Sequence, residues 1–92
     1  MQAKDITDID AARKRIDVVD EEIVSLLAKR ISLCRAIAKI KNEKGMAIHD
    51  GKREQEVLAR AGEQARKKCI DEEFVAGLYS SILENSREEQ SK

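Results

Sequence analysis

The chain has no proline and no tryptophan, and only one tyrosine, one phenylalanine, one histidine, two cysteines and four glycines in 92 residues. It also lacks a charge excess of either sign, with 18 Lys and Arg against 18 Asp and Glu. That balance removes the basic footprint of a nucleic-acid or anionic-membrane binder, so neither partner is expected. No apolar run approaches the roughly 20 residues that a membrane span requires. Met1-Gln2-Ala3-Lys4-Asp5 does not read as a secretory leader. Cys34 and Cys69 are too few and too far apart for a disulfide framework, and each is expected to be a small buried apolar residue. With one histidine there is no His-rich metal site, and His49, beside turn residues, is expected in a solvated loop. Reducing cytoplasm is the expected compartment.

What remains is helix-forming. Charged residues make up 39% of the chain, and β-branched and aromatic residues are too sparse for a sheet. Leu, Ile, Val and Phe number 22, too many in a neutral chain for intrinsic disorder. The fold class expected is all-α, in one domain over residues 1–92, with helices at about 8–44, 51–68 and 71–89. From Asp8 to Lys44 there is neither Gly nor Pro, and a heptad rhythm holds. Position a reads Ile9, Ile16, Ile23, Arg30, Ile37, and position d reads Ala12, Val19, Leu26, Leu33, Ile40. Thr7 or Asp8 suits the N-cap, and Lys39, Lys41 and Lys44 suit the negative end of the helix dipole. Both loop glycines, Gly45 and Gly51, end this segment. Asp50 or Gly51 is expected to cap the second helix, whose apolar face (Val57, Leu58, Ala61, Ala65) is thin and weakened by Gly62. The third starts near Asp71 and carries a stripe of Phe74, Val75, Leu78, Tyr79, Ile82 and Leu83 expected to be buried, with Gln90-Ser91-Lys92 expected to fray.

A first helix of about 55 Å is too long for a compact domain of this size, whose radius of gyration is about 12 Å. Two shorter helices folded back on it leave apolar seam in water. The economical arrangement is an intertwined homodimer in which two long helices cover each other. A plain antiparallel coiled-coil scaffold is the competing arrangement.

Several polar residues stand where such a bundle does not need them. Arg30 interrupts the seam; a buried guanidinium requires an anion, although a buried salt bridge or a register-setting polar residue satisfies the same spacing. Lys41 lies 11 residues on, close to three turns, so both point to one side with Cα atoms about 16 Å apart. That span leaves a gap the size of a small dianion. Arg13 is about 25 Å from Arg30 and rotated by about 100°, so it reaches the same ligand only from the other subunit's antiparallel helix. Ser86 and Gln90 continue the stripe of the third helix as an i, i+4 pair, or else form a frayed polar terminus. Arg53 and Glu54 open the second helix beside Asp50, where a capping role is the plain alternative. No EF-hand spacing, acid-His cluster or glycine-rich phosphate loop is present, so no metal and no cofactor is expected.

These residues, in this order, resemble the all-α class of chorismate mutase. The resemblance runs from Ala12-Arg13-Lys14-Arg15-Ile16-Asp17 through Leu26-Leu27-Ala28-Lys29-Arg30 and Ala38-Lys39-Ile40-Lys41. It continues over Ile48-His49-Asp50-Gly51-Lys52-Arg53-Glu54 and closes on Ile82-Leu83-Glu84-Asn85-Ser86-Arg87-Glu88-Glu89-Gln90. It implies an intertwined helical dimer with two sites, acting on chorismate without a cofactor. By position it implies that Arg30, with Arg13 from the partner chain, clamps the two carboxylates of the substrate. Lys41 then serves a carboxylate and the ether oxygen, and Gln90 is the second donor to that oxygen. Glu54 and the backbone near Asp50 face the ring hydroxyl, and Ser86 and Arg53 surround the ring carboxylate. Ala47 stands where many relatives carry Pro, and with no dehydratase, dehydrogenase or aldolase-like segment read in these 92 residues a monofunctional enzyme is expected. An isochorismate-pyruvate lyase shares the architecture and the cationic site, and a silent dimerisation module shares the fold; the full polar set favours the mutase.

Overall fold

The structure is a computed structural model and describes residues 8–92. Among the described residues it is all-helical: α1 (Ile9–Glu43), α2 (Gly51–Lys67) and α3 (Glu72–Ser91). Every helix begins on an aspartate. Asp8 Oδ1 accepts from Ala11 N at 2.7 Å, Asp50 Oδ1 from Arg53 N at 3.1 Å, and Asp71 Oδ1 from Glu73 N at 3.0 Å. Each bond satisfies an amide that the first turn leaves without an intrahelical acceptor. Thr7, the other capping candidate for α1, lies outside the described residues.

The first two helices end on the same device. After α1, Gly45 turns left-handed (φ 66°), its N–H meeting Asn42 O at 3.3 Å and that of Met46 meeting Lys41 O at 2.8 Å. After α2, Cys69 takes the left-handed place (φ 57°), with Cys69 N on Arg66 O at 3.2 Å and Ile70 N on Ala65 O at 2.9 Å. Both are Schellman closures, in which the favoured residue is glycine. Cys69 is therefore exposed at a joint, which corrects the expectation that it is buried. Cys34 is buried as expected.

The chain divides into two compact units, one ending at Ser32 and the other running from Leu33 to Lys92. In the first, the described residues form the N-terminal part of α1, and the seam residues Ile9, Ile16, Val19, Ile23 (50%) and Leu26 (64%) are exposed. In the second, α2 and α3 pack together. Arg66 near the joint meets Glu72 at 2.8 Å, while Glu54 at the far end of α2 meets Arg87 near the end of α3 at 2.6 Å, so the pair runs antiparallel. The core of this unit is Leu83 with the small side chains of Ala61, Ala65 and Cys34. Val57, Leu58, Val75, Tyr79 and Ile82 are half-buried. Phe74 (64%) and Leu78, expected to be buried, are exposed. They lie on the early part of α3, where the thin face of α2 covers only one side of the stripe.

The last turn of α3 also differs from expectation. Gln90 and Ser91 are helical rather than frayed. The cause is local and tertiary together: Ser91 Oγ donates to Arg87 O at 2.8 Å, and Glu89 is tied to α1 by Arg35 at 3.0 Å.

Candidate active site

The eight residues singled out from the sequence fall into both units. Arg13 and Arg30 belong to the first, Arg13 exposed and Arg30 half-buried. Lys41, Asp50, Arg53, Glu54, Ser86 and Gln90 belong to the second. Within it the end of α1, the start of α2 and the end of α3 carry all six.

Lys41, half-buried, donates its ammonium to the Ile48 carbonyl at 2.9 Å. An ammonium carries three donors, so two remain beyond this bond. Asp50 spends its carboxylate on the cap of α2. Glu54 sits one turn inside α2. Its Oε1 accepts from Arg87 at 2.6 Å and its Oε2 lies 3.6 Å from His49 Nε2, which leaves carboxylate lone pairs for a further donor. Arg53 turns to Glu56 at 3.5 Å on the surface, more than half exposed. Such an i, i+3 pair contributes only about 0.3–0.5 kcal/mol and is easily exchanged for another anion. Ser86 is buried and donates to the Ile82 carbonyl at 2.9 Å. Gln90 Oε1 is buried with no hydrogen-bond partner. An unpartnered buried amide is unfavourable by about 1–3 kcal/mol unless something else meets it. Rotating the amide by half a turn presents a donor at the same place.

Beside Gln90 lies a cavity of about 570 Å³, within the size range of small-molecule sites. Its wall includes Arg35, Asn42, Ile48, Glu89, Gln90 and Lys92. Gln90 is the one residue of the expected set in this wall, and Ile48, whose carbonyl holds Lys41, is its neighbour there. Glu89 in this wall is met by two cations. A hydrogen bond from Lys92 holds its carboxyl below the ordinary range, burial works the other way, and a hydrogen bond and charge from Arg35 add to the lowering. Among the described residues no group of three or more His, Cys, Asp or Glu is placed to hold a metal ion.

Two contacts were not anticipated from the sequence, Glu54 with Arg87 and Glu89 with Arg35. The first had a readable signal. Glu54 lies 16 residues before Ile70 and Arg87 lies 17 after it, so an antiparallel hairpin about that joint brings them level. The second joins residues 54 apart across two helices and had no local signal.

Residues 12–91 match the family model of chorismate mutase type II. The chain belongs to this family. It is 32% identical over 75 residues to the chorismate mutase of Methanocaldococcus jannaschii, covering 82% of this chain and 76% of that protein. It is 33% identical over 82 residues to a bifunctional chorismate mutase/prephenate dehydratase of Buchnera aphidicola, covering 89% of this chain and 22% of that much longer protein. Among solved structures, a conserved hypothetical protein from Pyrococcus furiosus superposes with a TM-score of 0.73 at 42% identity, over 88% of this chain and 92% of that one. No helix among the described residues of this chorismate mutase family member is long and apolar enough to cross a membrane.

Proposed function

We propose that this protein is a chorismate mutase that converts chorismate into prephenate at sites built from two copies of the chain. The match to the chorismate mutase type II family over residues 12–91 carries this reading. The exposed apolar seam of α1 supports the second copy. Ile9, Ile16, Val19, Ile23 and Leu26 stand open to solvent, and full burial of each such side chain is worth about 1.5–3 kcal/mol. A seam of that kind is a surface for a second helix of the same type.

The reaction is a single intramolecular rearrangement in which no proton is transferred and no cofactor takes part. Its barrier falls when the flexible dianion is held in its reactive shape and when charge growing on the breaking ether oxygen is met by donors already in place. Arg30 and the partner subunit's Arg13 hold the two carboxylates, a task for which the planar guanidinium fork is suited. Lys41 and Gln90 serve the ether oxygen. The two remaining ammonium donors of Lys41 suit that work, as does the amide of Gln90, which turned by half presents its NH2 where the unpartnered Oε1 lies. Glu54 and the backbone at Asp50 receive the ring hydroxyl, while Ser86 and Arg53 stand at the ring carboxylate. Only contacts that strengthen in the transition state raise the rate of the chemical step. Loss of Lys41 or Gln90 is therefore expected to cost about 3 kcal/mol of barrier, on the scale of a removed oxyanion donor.

Following chorismate consumption by the purified protein while identifying the product tests this. Prephenate formation is the expected result. No consumption overturns the reading, and pyruvate release from isochorismate in its place assigns the lyase reaction instead.

A further inference from the structure

The last turn of α3 is poorly built as a free helix end. It carries Glu88 and Glu89 at the negative pole of the dipole, with no basic residue of its own in that turn. Its final carbonyls have no intrahelical partners. By these features it should fray, and a frayed turn would carry Gln90 with it. Yet the helix holds to Ser91. The unfavourable pole is offset by the two cations that meet Glu89: 8% exposed, it accepts from Arg35 Nε at 3.0 Å and from Lys92 Nζ at 2.9 Å. Arg35 belongs to α1, so one carboxylate fastens the end of α3 to the helix that also carries Lys41. Glu89 and Gln90 are adjacent in sequence and line the same cavity, so a displacement of the one backbone is a displacement of the other.

We propose that Arg35 and Glu89 are positioning residues for catalysis, holding the Gln90 amide in register with Lys41 without touching the substrate. This rests on the reading of Gln90 as an ether-oxygen donor, and goes beyond it by assigning what keeps that donor in place. Arg35 is itself 63% exposed, so the pair adds little to overall stability. Its effect is concentrated in the geometry of one turn. Misplacement of a catalytic group by about 1 Å is worth up to about 100-fold in rate.

The test compares Glu89→Gln, Arg35→Ala, Gln90→Ala and the double variant Glu89→Gln/Gln90→Ala, with kcat and KM measured on chorismate for each. Gln90→Ala alone tests the underlying reading. The expected result for Glu89→Gln and Arg35→Ala is a fall in kcat of about 5- to 50-fold with KM nearly unchanged. In the Gln90→Ala background, Glu89→Gln should cost less than about twofold, because the group it positions is gone. Faster amide hydrogen exchange at residues 88–91 in Glu89→Gln should accompany the fall. Full kcat in both single variants overturns the inference while leaving Gln90 in its role, provided that Gln90→Ala is impaired. A loss of equal size in both backgrounds also overturns it, since that would be general damage to the fold. If Glu89→Gln does not fold, Arg35→Ala carries the same comparison from an exposed position. Full activity of Gln90→Ala removes the reading and the inference together.

Discussion

Gln90 and Glu89 invite opposite experiments on the same turn. A neutral amide donates at any pH, so replacing it by a carboxyl makes donation depend on a proton. Gln90→Glu is expected to gain activity as pH falls, and a flat profile at full activity would remove the donor role. Glu89 works in the other direction. Its folded-state affinity for protons is lowered, chiefly by Lys92, so the unfolded chain binds protons more readily. The stabilisation is therefore complete above the ordinary carboxyl value of 4.5 and is lost as pH drops through the depressed folded value. The denaturation midpoint of the wild-type chain should exceed that of Glu89→Gln by a small margin near neutrality, since both cations are largely exposed, and the gap should close in acid. At this scale the sequence marked Arg30 in an apolar seam and Lys41 three turns later as out of pattern, and their work at a site is the proposal made above. What local patterning did not reveal was the pairing of Glu54 with Arg87 and of Glu89 with Arg35, because partners across helices depend on which helices meet.

Helix starts were readable because Asp8, Asp50 and Asp71 do their capping within three residues of themselves. The end of α1 was readable from Gly45 for the same reason. The end of α2 was read to within one residue, about 68 against Lys67, but the cysteine that closes it where glycine is favoured was not. A side chain at φ 57° carries a penalty that glycine avoids, partly offset by the greater freedom of glycine in the unfolded chain. Cys69→Gly is accordingly expected to stabilise the protein by about 0.5–1 kcal/mol, read from urea unfolding at fixed protein concentration. Gly62→Ala should add a similar amount. A methyl there would meet only side-chain tips, Glu72 Oε2 at 3.7 Å and Arg66 Nη1 at 3.9 Å, and alanine is favoured by about 1 kcal/mol within a helix. Within one chain the burial expected along the stripe of α3 is incomplete at Phe74 and Leu78, because periodicity marks which face is apolar, not how much neighbouring surface of the same chain covers it.

For the molecule as a whole, the heptad seam predicts a long helix, and its exposed residues then demand a cover. If that cover is a second copy and Arg13 serves the other copy's site, Arg13→Ala and Arg30→Ala chains are each inactive alone but complement each other. Equal mixing with free exchange leaves about a quarter of all sites intact, from the two-fold symmetry of such a dimer. Absence of regained activity after verified exchange would rule out the sharing. Activity should also decline on dilution below the dissociation constant of the dimer, as for any protein whose folded form is inseparable from its partner.

Lys41 is attached to the segment after α1 twice over, its carbonyl receiving Met46 and its ammonium reaching Ile48. Lengthening a surface connection by one or two residues ordinarily costs a small amount of chain entropy and nothing more. Here such an insertion between Lys44 and Ile48 would pull on the amine proposed to meet the ether oxygen. If Lys41 has that role, connector length at this point sets turnover: a variant with one added residue should melt almost like its parent yet turn over more slowly.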